Sequence, residues 1–256
     1  MNPSIEVAAR NIIASMKRAY GAPYTRVPAQ EADFPHLDMA AYARVRAGLE
    51  AAGYDYLFDY AIKEINDSPT SLRRPTMLRA FGARAGGGSA AYYQSRPHWP
   101  RLWGKLLTGL SNGRWIDTPK MILRMVPTRH CIDLMSEFAD GSWVSTSNAE
   151  AAESIGMPKS LDRKFHPYDT PLAVLLADHR ERVAAAVAAR GGALPLPVRS
   201  KDDVLAASER ENVIKREHRA AIGWVTHGEL VKMSKGNTEL AGHIFAEVRK
   251  QLREGA

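Results

Sequence analysis

The alternation of apolar and polar side chains is clearest in the middle of the chain, between residues 120 and 148. Ile132 and Leu134 share one face of the central segment there, and Asp133 and Glu137 share the other. A period of two residues is typical of a β-strand with one buried face. We therefore predict three short strands in this stretch, separated by two tight turns.

The Asp140-Gly141 pair predicts a hairpin between strands at 130–138 and 142–147. Glycine takes a positive φ freely and aspartate tolerates it, so we expect a two-residue turn with positive φ at both positions. The third strand of the stretch, at 119–127, is expected to precede this hairpin.

Alternation also predicts a strand at 54–65, where a helix is the less consistent alternative. The three glycines at 86–88 separate two more alternating segments, 76–84 and 89–96. They predict a second hairpin.

Apolar residues at helical spacing, together with capping signals, predict the helices. Asp38 can cap one helix and Gly53 can end it, while Thr170 and Pro171 can open another. The predicted helices are 5–19, 39–52, 98–110, 171–190, 200–222 and 238–253.

These elements predict an α+β fold with a mainly antiparallel sheet of about five or six strands, covered by helices 39–52 and 171–190. We divide the chain into an N-terminal helix and connector at 1–37, an α+β core domain at 38–197 and a helical C-terminal extension at 198–256. The C-terminal helices could form an oligomerisation surface, so a homo-oligomer is one expectation.

Charge is distributed unevenly along the chain. Residues 71–130 contain 11 Lys and Arg and a single acid, Asp117, whereas the net charge of the whole chain is only +7. Such a concentration of cations predicts a positive surface and an anionic partner. The alternative is a solvated strand face whose charges are balanced by acids elsewhere in the fold.

Cationic and aromatic side chains alternate within this basic segment. Lys and Arg neutralise phosphates, and aromatic rings stack on bases or lie at lipid interfaces. No sequence pattern of a nucleic-acid-binding fold accompanies them. We expect a non-enzymatic binding or regulatory protein whose partner is an acidic protein surface, a nucleic acid or the lipid head groups of a membrane. The predicted binding residues are Arg79, Arg96, Arg101, Lys105, Lys120, Arg124, Trp99 and Trp103.

Helix 98–110 carries an apolar stripe formed by Trp99, Trp103, Leu106, Leu107 and Leu110. We expect this stripe to pack across one face of the sheet. The alternative is a helix that lies in the interface of a membrane.

The sequence contains no HExxH, CxxC or GxSxG motif, so we predict no metal and no cofactor. The alternative function is an enzyme with a pocket between the sheet and helix 171–190. His179 and Asp133 would then be its acid–base groups. A histidine on an apolar helix face is more often a structural hydrogen-bond partner.

Three groups of residues stand in a recognisable order between about residues 40 and 190. They are Leu49-x3-Gly53-Tyr54 followed by Asp59, Phe138-x-Asp140-Gly141-x4-Thr146-Ser147-Asn148, and Thr170-Pro171 leading to Leu175-Leu176-x2-His179-Arg180-x-Arg182-Val183. This order resembles an uncharacterised bacterial family of α+β domains. The resemblance implies a shared α+β domain and no catalytic residue. Residues 198–256 lie outside the part of the chain that it covers.

The single cysteine, Cys131, lies inside a predicted strand and cannot form an internal disulfide. The first residues lack the basic region and apolar core of a signal peptide. No run approaches the roughly 18 apolar residues that a membrane-spanning helix needs. We therefore expect a reduced, cytoplasmic protein.

Overall fold

The computed structural model describes residues 3–68, 71–111, 123, 126–149 and 156–254. Within these residues the chain forms an α+β structure. The helices are α1 (Pro3–Tyr20), α2 (Met39–Ala51), α3 (Lys63–Asn66), α4 (Trp99–Ser111), α5 (Leu172–Ala189), α6 (Lys201–Ala221), α7 (His227–Met233) and α8 (Thr238–Glu254). The strands are β1 (Arg26–Pro28), β2 (Tyr54–Ile62), β3 (Leu78–Ala83), β4 (Ser89–Ser95), β5 (Arg129–Glu137), β6 (Trp143–Ser147) and β7 (Leu161–Phe165).

The chain divides into two compact units. The first consists of Met1–Pro23, Ala151–Leu161 and Leu205–Ala256, and the second of Tyr24–Glu150 and Asp162–Val204. The N-terminal helix α1 therefore belongs with the C-terminal helices and not with the connector that follows it.

The first unit has a small apolar core to which α1, α7 and α8 contribute. Ala9, Leu230 and Val248 are buried together there. Its buried polar centre is an ion pair of 2.8 Å between Arg219 Nη1 and Glu229 Oε1, and this carboxylate also accepts a hydrogen bond from the backbone of Gly156.

The second unit is built on the sheet, whose seven described strands lie in the order β1 to β7. Each consecutive pair from β1 to β6 is antiparallel, so the prediction of a mainly antiparallel α+β fold is confirmed. The predicted number of five or six strands is wrong. The short edge strands β1 and β7 lie in segments predicted as connector and loop, and the predicted strand 119–127 falls mostly outside the described residues.

Both predicted hairpins are present, but the turn between β5 and β6 differs from the expected one. Gly141 has a φ of 77°, whereas the φ of Asp140 is not positive. The amide of Gly141 donates to the carbonyl of Phe138, and the amide of Phe138 donates to the carbonyl of Ser142. This is a longer loop that ends in a glycine bulge, which needs only one left-handed residue.

Helices α2 and α5 pack against one face of the sheet. Leu49 of α2 and Leu175 of α5 are fully buried in one cluster with Ile132 and Leu134 of β5. The predicted cap of α2 is present, since the Asp38 carboxylate accepts a hydrogen bond from the amide of Ala41.

A buried ion pair joins β2 to β3 in the same unit. The guanidinium of Arg79 donates from Nε and Nη2 to the two carboxylate oxygens of Asp59, at 2.9 and 2.8 Å, and from Nη2 to Glu31 at 2.7 Å. Arg79 is only 5% exposed, and it lies against the rings of Tyr42 and Tyr56. The hydrogen bonds to Asp59 raise the pKa of Arg79 further, so the pair stays ionised.

We expect Arg79→Ala to lower the free energy of unfolding by about 3–5 kcal/mol, because Asp59 would remain buried without its counter-charge. Arg84→Ala is the matched control. Arg84 pairs with Asp55, but both side chains are exposed, so we expect a loss of about 0–1 kcal/mol. Urea denaturation would measure both, and equal losses would contradict the assignment of Arg79 as a buried structural cation.

Candidate functional site

The structure separates the predicted binding residues into three groups. Lys120 and Arg124 lie outside the described residues. Arg79 does not reach the surface and is paired with carboxylates, so it offers no charge to a partner. Arg96, Arg101 and Lys105 remain, together with the two tryptophans of α4.

Backbone pairing places Arg96 beside two arginines that are not among the predicted binding residues, Arg73 and Arg74, and Lys105 follows Arg101 by one turn of α4. A β-bridge joins Arg73 to Pro97, and the amide of Arg74 donates to the carbonyl of Arg96. We call the five side chains the cationic cluster: Arg73, Arg74, Arg96, Arg101 and Lys105.

No residue of the cationic cluster forms an ion pair with a carboxylate in the described part of the chain. Three of its guanidinium groups donate to neutral oxygens instead. Arg73 donates to the carbonyl of Pro127 at 3.1 Å, Arg96 to the carbonyl of His36, and Arg101 to the carbonyls of Ser68 and Ser71, both at 3.0 Å. A carbonyl satisfies the donor but leaves the positive charge in place.

Burial is the largest influence on the pKa values of two groups in this region. It lowers the pKa of Arg73, with Arg129 adding to the effect and Tyr168 opposing it. Burial also lowers the pKa of His36; the hydrogen bond with the carbonyl of Pro75 opposes this, and the positive charges of Arg74 and Arg96 add to it. The two arginines therefore disfavour an additional proton on His36.

Helix α4 presents an apolar stripe to solvent. Trp99, Trp103 and Leu107 are 46, 58 and 65% exposed, and their spacing of four residues places them on one helix face. Leu102 is a buried side chain of α4. The expectation that the stripe packs across the sheet is wrong for Trp99, Trp103 and Leu107, because these side chains are exposed.

A second feature is a cavity of about 470 Å³ beside α5, which we call the α5 cavity. Its walls come from the N-terminal end of β2, the glycine loop between β3 and β4, β5, α5 and the segment at 194–195. It is lined mainly by small and apolar side chains, with Ser136, His179 and Arg180 among the polar groups.

His179 bridges two strands at the wall of this cavity. Its Nε2 lies 3.2 Å from Ser136 Oγ on β5, and its Nδ1 lies 3.1 Å from Thr146 Oγ1 on β6. The side chain is 3% exposed. Arg182 donates to the same Thr146 hydroxyl at 2.8 Å, which fixes that oxygen in place.

Burial lowers the pKa of His179 to about 4, with the positive charge of Arg182 contributing and Asp178 opposing. The imidazole is therefore neutral at pH 7. A catalytic serine–histidine pair usually has a carboxylate on the second ring nitrogen to stabilise the imidazolium, but here Thr146 takes that position. The arrangement suits fixed hydrogen bonding better than proton transfer.

Asp133 and His179 do not meet. Asp133 lies three residues before Ser136 on β5, so its side chain leaves the sheet on the opposite face. There it pairs with Arg163 at 3.0 Å. The structure therefore contains the cavity next to His179 that the enzyme hypothesis needs, but it does not bring Asp133 and His179 together.

Neither a metal cluster nor a reactive thiol accompanies these features. The described residues contain no group of three or more His, Cys, Asp and Glu side chains that could hold a metal ion. Burial raises the pKa of the Cys131 thiol to about 12. None of the described helices is long and apolar enough to span a bilayer.

Comparisons with known proteins return no match. No protein-family model, curated protein or solved structure is significantly similar to this chain.

The neutral His179 predicts a pH-dependent stability. Because its pKa is about 4 in the folded protein and 6.5 in the unfolded chain, only the unfolded chain binds a proton between these values. The contribution of the neutral His179 to the free energy of unfolding is fully present above pH 6.5. It should be lost by about 1.4 kcal/mol per pH unit as the pH falls toward 4.

The variant His179→Gln is the control for this pH dependence. Glutamine does not titrate, and all other titratable groups are common to both proteins. We expect the difference in free energy of unfolding between the parent and this variant to shrink as the pH falls from 7 to 4. Parallel stability profiles over that range would show that His179 is not held neutral.

Proposed function

We propose that the protein binds the surface of an anionic membrane through α4 and the cationic cluster. The observation that carries this proposal is the exposed stripe of Trp99, Trp103 and Leu107 on a helix that adjoins cations with no carboxylate partner among the described residues. An interfacial helix combines these two features: apolar side chains enter the head-group region, and cations attract anionic lipids.

The stripe belongs to a helix that is anchored to its own unit. Leu102 is buried, and Arg101 donates to two backbone carbonyls. The two indoles and Leu107 are thus presented together by one regular helix, which reduces the entropy lost on binding. Tryptophan suits this position because its ring is largely apolar while its N–H can reach water or a head group.

The cationic cluster supplies the electrostatic part of the binding. Each Lys or Arg near an anionic bilayer contributes about 1 kcal/mol, provided that no carboxylate of the protein already neutralises it. The two exposed members of the cluster, Arg74 and Lys105, are the most available for such contacts. Because these charges are solvated, their attraction should weaken strongly with salt.

A membrane fits this surface better than a nucleic acid does. Base stacking needs aromatic faces, and Leu107, the most exposed side chain of the stripe, offers none. A bilayer interface accepts aliphatic as well as aromatic side chains. The stripe therefore favours lipid among the anionic partners considered from the sequence.

We expect the protein to co-sediment at low salt with vesicles of mixed phosphatidylcholine and phosphatidylglycerol, and to remain in solution with phosphatidylcholine alone. Trp99→Ala combined with Trp103→Ala should lower the bound fraction at least about fivefold, because the variant loses most of the apolar area that enters the interface. Val174→Ala is the matched control, since Val174 is 48% exposed but lies on α5.

Arg74→Gln combined with Lys105→Gln should also reduce vesicle binding. The binding that remains in this double variant should depend less on salt than that of the parent protein. Vesicle binding that is unchanged by the tryptophan substitutions would exclude α4 as the docking helix. If the protein does not bind anionic vesicles but does bind a single-stranded oligonucleotide, the membrane proposal is wrong and the partner is a nucleic acid.

A further inference from the structure

The α5 cavity exists because small residues face each other across it. Ala83, Gly86 and Gly87 line one side, and Ala184 and Ala188 of α5 line another. The glycine loop also closes the wall tightly. A Cβ at Gly87 would lie 2.4 Å from the carbonyl oxygen of Pro195, so only glycine allows this approach.

The larger apolar side chains of the cavity form a continuous surface along α5 and the segment that follows it. Val183, Val187 and Leu194 line this part, and Leu194 is 66% exposed. A volume of about 470 Å³ lies within the range of small-molecule sites. An apolar body of a small ligand would fit along this surface.

The polar groups of the cavity stand apart from this apolar surface. Arg180 donates one hydrogen bond to the carbonyl of Ala52 and forms no ion pair with a carboxylate of the described residues. Its charge therefore remains available. It lies near Tyr54, whose pKa is raised by burial despite the opposing charge of Arg180, so the hydroxyl stays protonated and can donate.

From these observations we infer that the α5 cavity binds a small carboxylic acid with an apolar body. The carboxylate pairs with the guanidinium of Arg180 and accepts a hydrogen bond from Tyr54. The apolar body lies along Val183, Val187 and Leu194. Ser136 and His179 bond each other at the cavity wall, so these two polar groups need no partner from the ligand.

The sign of the ligand charge follows from Arg180. An ammonium ligand would be repelled by the guanidinium of Arg180, and the residues that line the cavity include no carboxylate to offset this repulsion. A neutral ligand of the same shape would form no ion pair with the guanidinium. Guanidinium groups bind carboxylates with two parallel hydrogen bonds, which gives both affinity and orientation.

Ligand-observed NMR and isothermal calorimetry on the full chain would test this inference with hexanoate, octanoate, decanoate and naphthoate. Octanamide, which has the same chain as octanoate but no charge, is the matched ligand. We expect octanoate to bind more tightly than octanamide. Arg180→Gln should weaken octanoate about fivefold and leave octanamide almost unchanged, because only the carboxylate pairs with Arg180.

Filling the cavity provides an independent test. Ala184→Leu should abolish binding of every ligand, and Ala188→Leu, at a second lining position, should do the same if the first variant is poorly folded. Ala185→Leu is the control, because Ala185 is an exposed residue of the same helix that does not line the cavity.

Preference for octanoate over naphthoate would identify an alkyl body, and the reverse would identify an aryl body. Three results would overturn the inference: no binding of any carboxylate at millimolar concentration, equal binding of octanoate and octanamide, or octanoate affinity that is insensitive to both Arg180→Gln and the filled cavity. None of these results depends on vesicle binding, so this inference and the membrane proposal can fail separately.

Discussion

The hydrogen bonds of His179 to Ser136 and Thr146 attach α5 to two neighbouring strands, and the α5 cavity depends on this attachment. A buried imidazole satisfies both of its nitrogens here without carrying a charge, because burial and Arg182 hold its pKa low. The register of α5 on the sheet is thereby set. The following residues, Arg180 and Val183, are placed along the α5 cavity as a consequence.

Arginine serves three different purposes in this unit. Arg79 is a buried counter-charge for Asp59, Arg84 forms an exposed pair, and Arg101 ties α4 to backbone carbonyls. Only the third use leaves a net positive charge at the surface. Counting cations along the chain cannot separate these cases, since the partners of Arg79 lie 20 and 48 residues away.

Local signals account for the elements that were predicted correctly. Asp38 caps α2, Gly141 allows the hairpin between β5 and β6, and apolar spacing defines α5. The sequence does not predict the edge strands β1 and β7, because β1 has only three residues and the pairing of each is decided by a neighbouring strand. The stripe of α4 was recognised, but helical periodicity does not reveal which face meets the protein.

The sequence by itself determined the α+β class, the two hairpins, the main helices and the concentration of cations between residues 71 and 130, because each depends on neighbours within a few positions. Only the tertiary structure decided which cations pair with carboxylates, which face of α4 stays exposed, and that His179 lies beside a cavity on the face opposite Asp133. Those outcomes depend on contacts between residues far apart in the chain. No local pattern of side chains encodes such contacts.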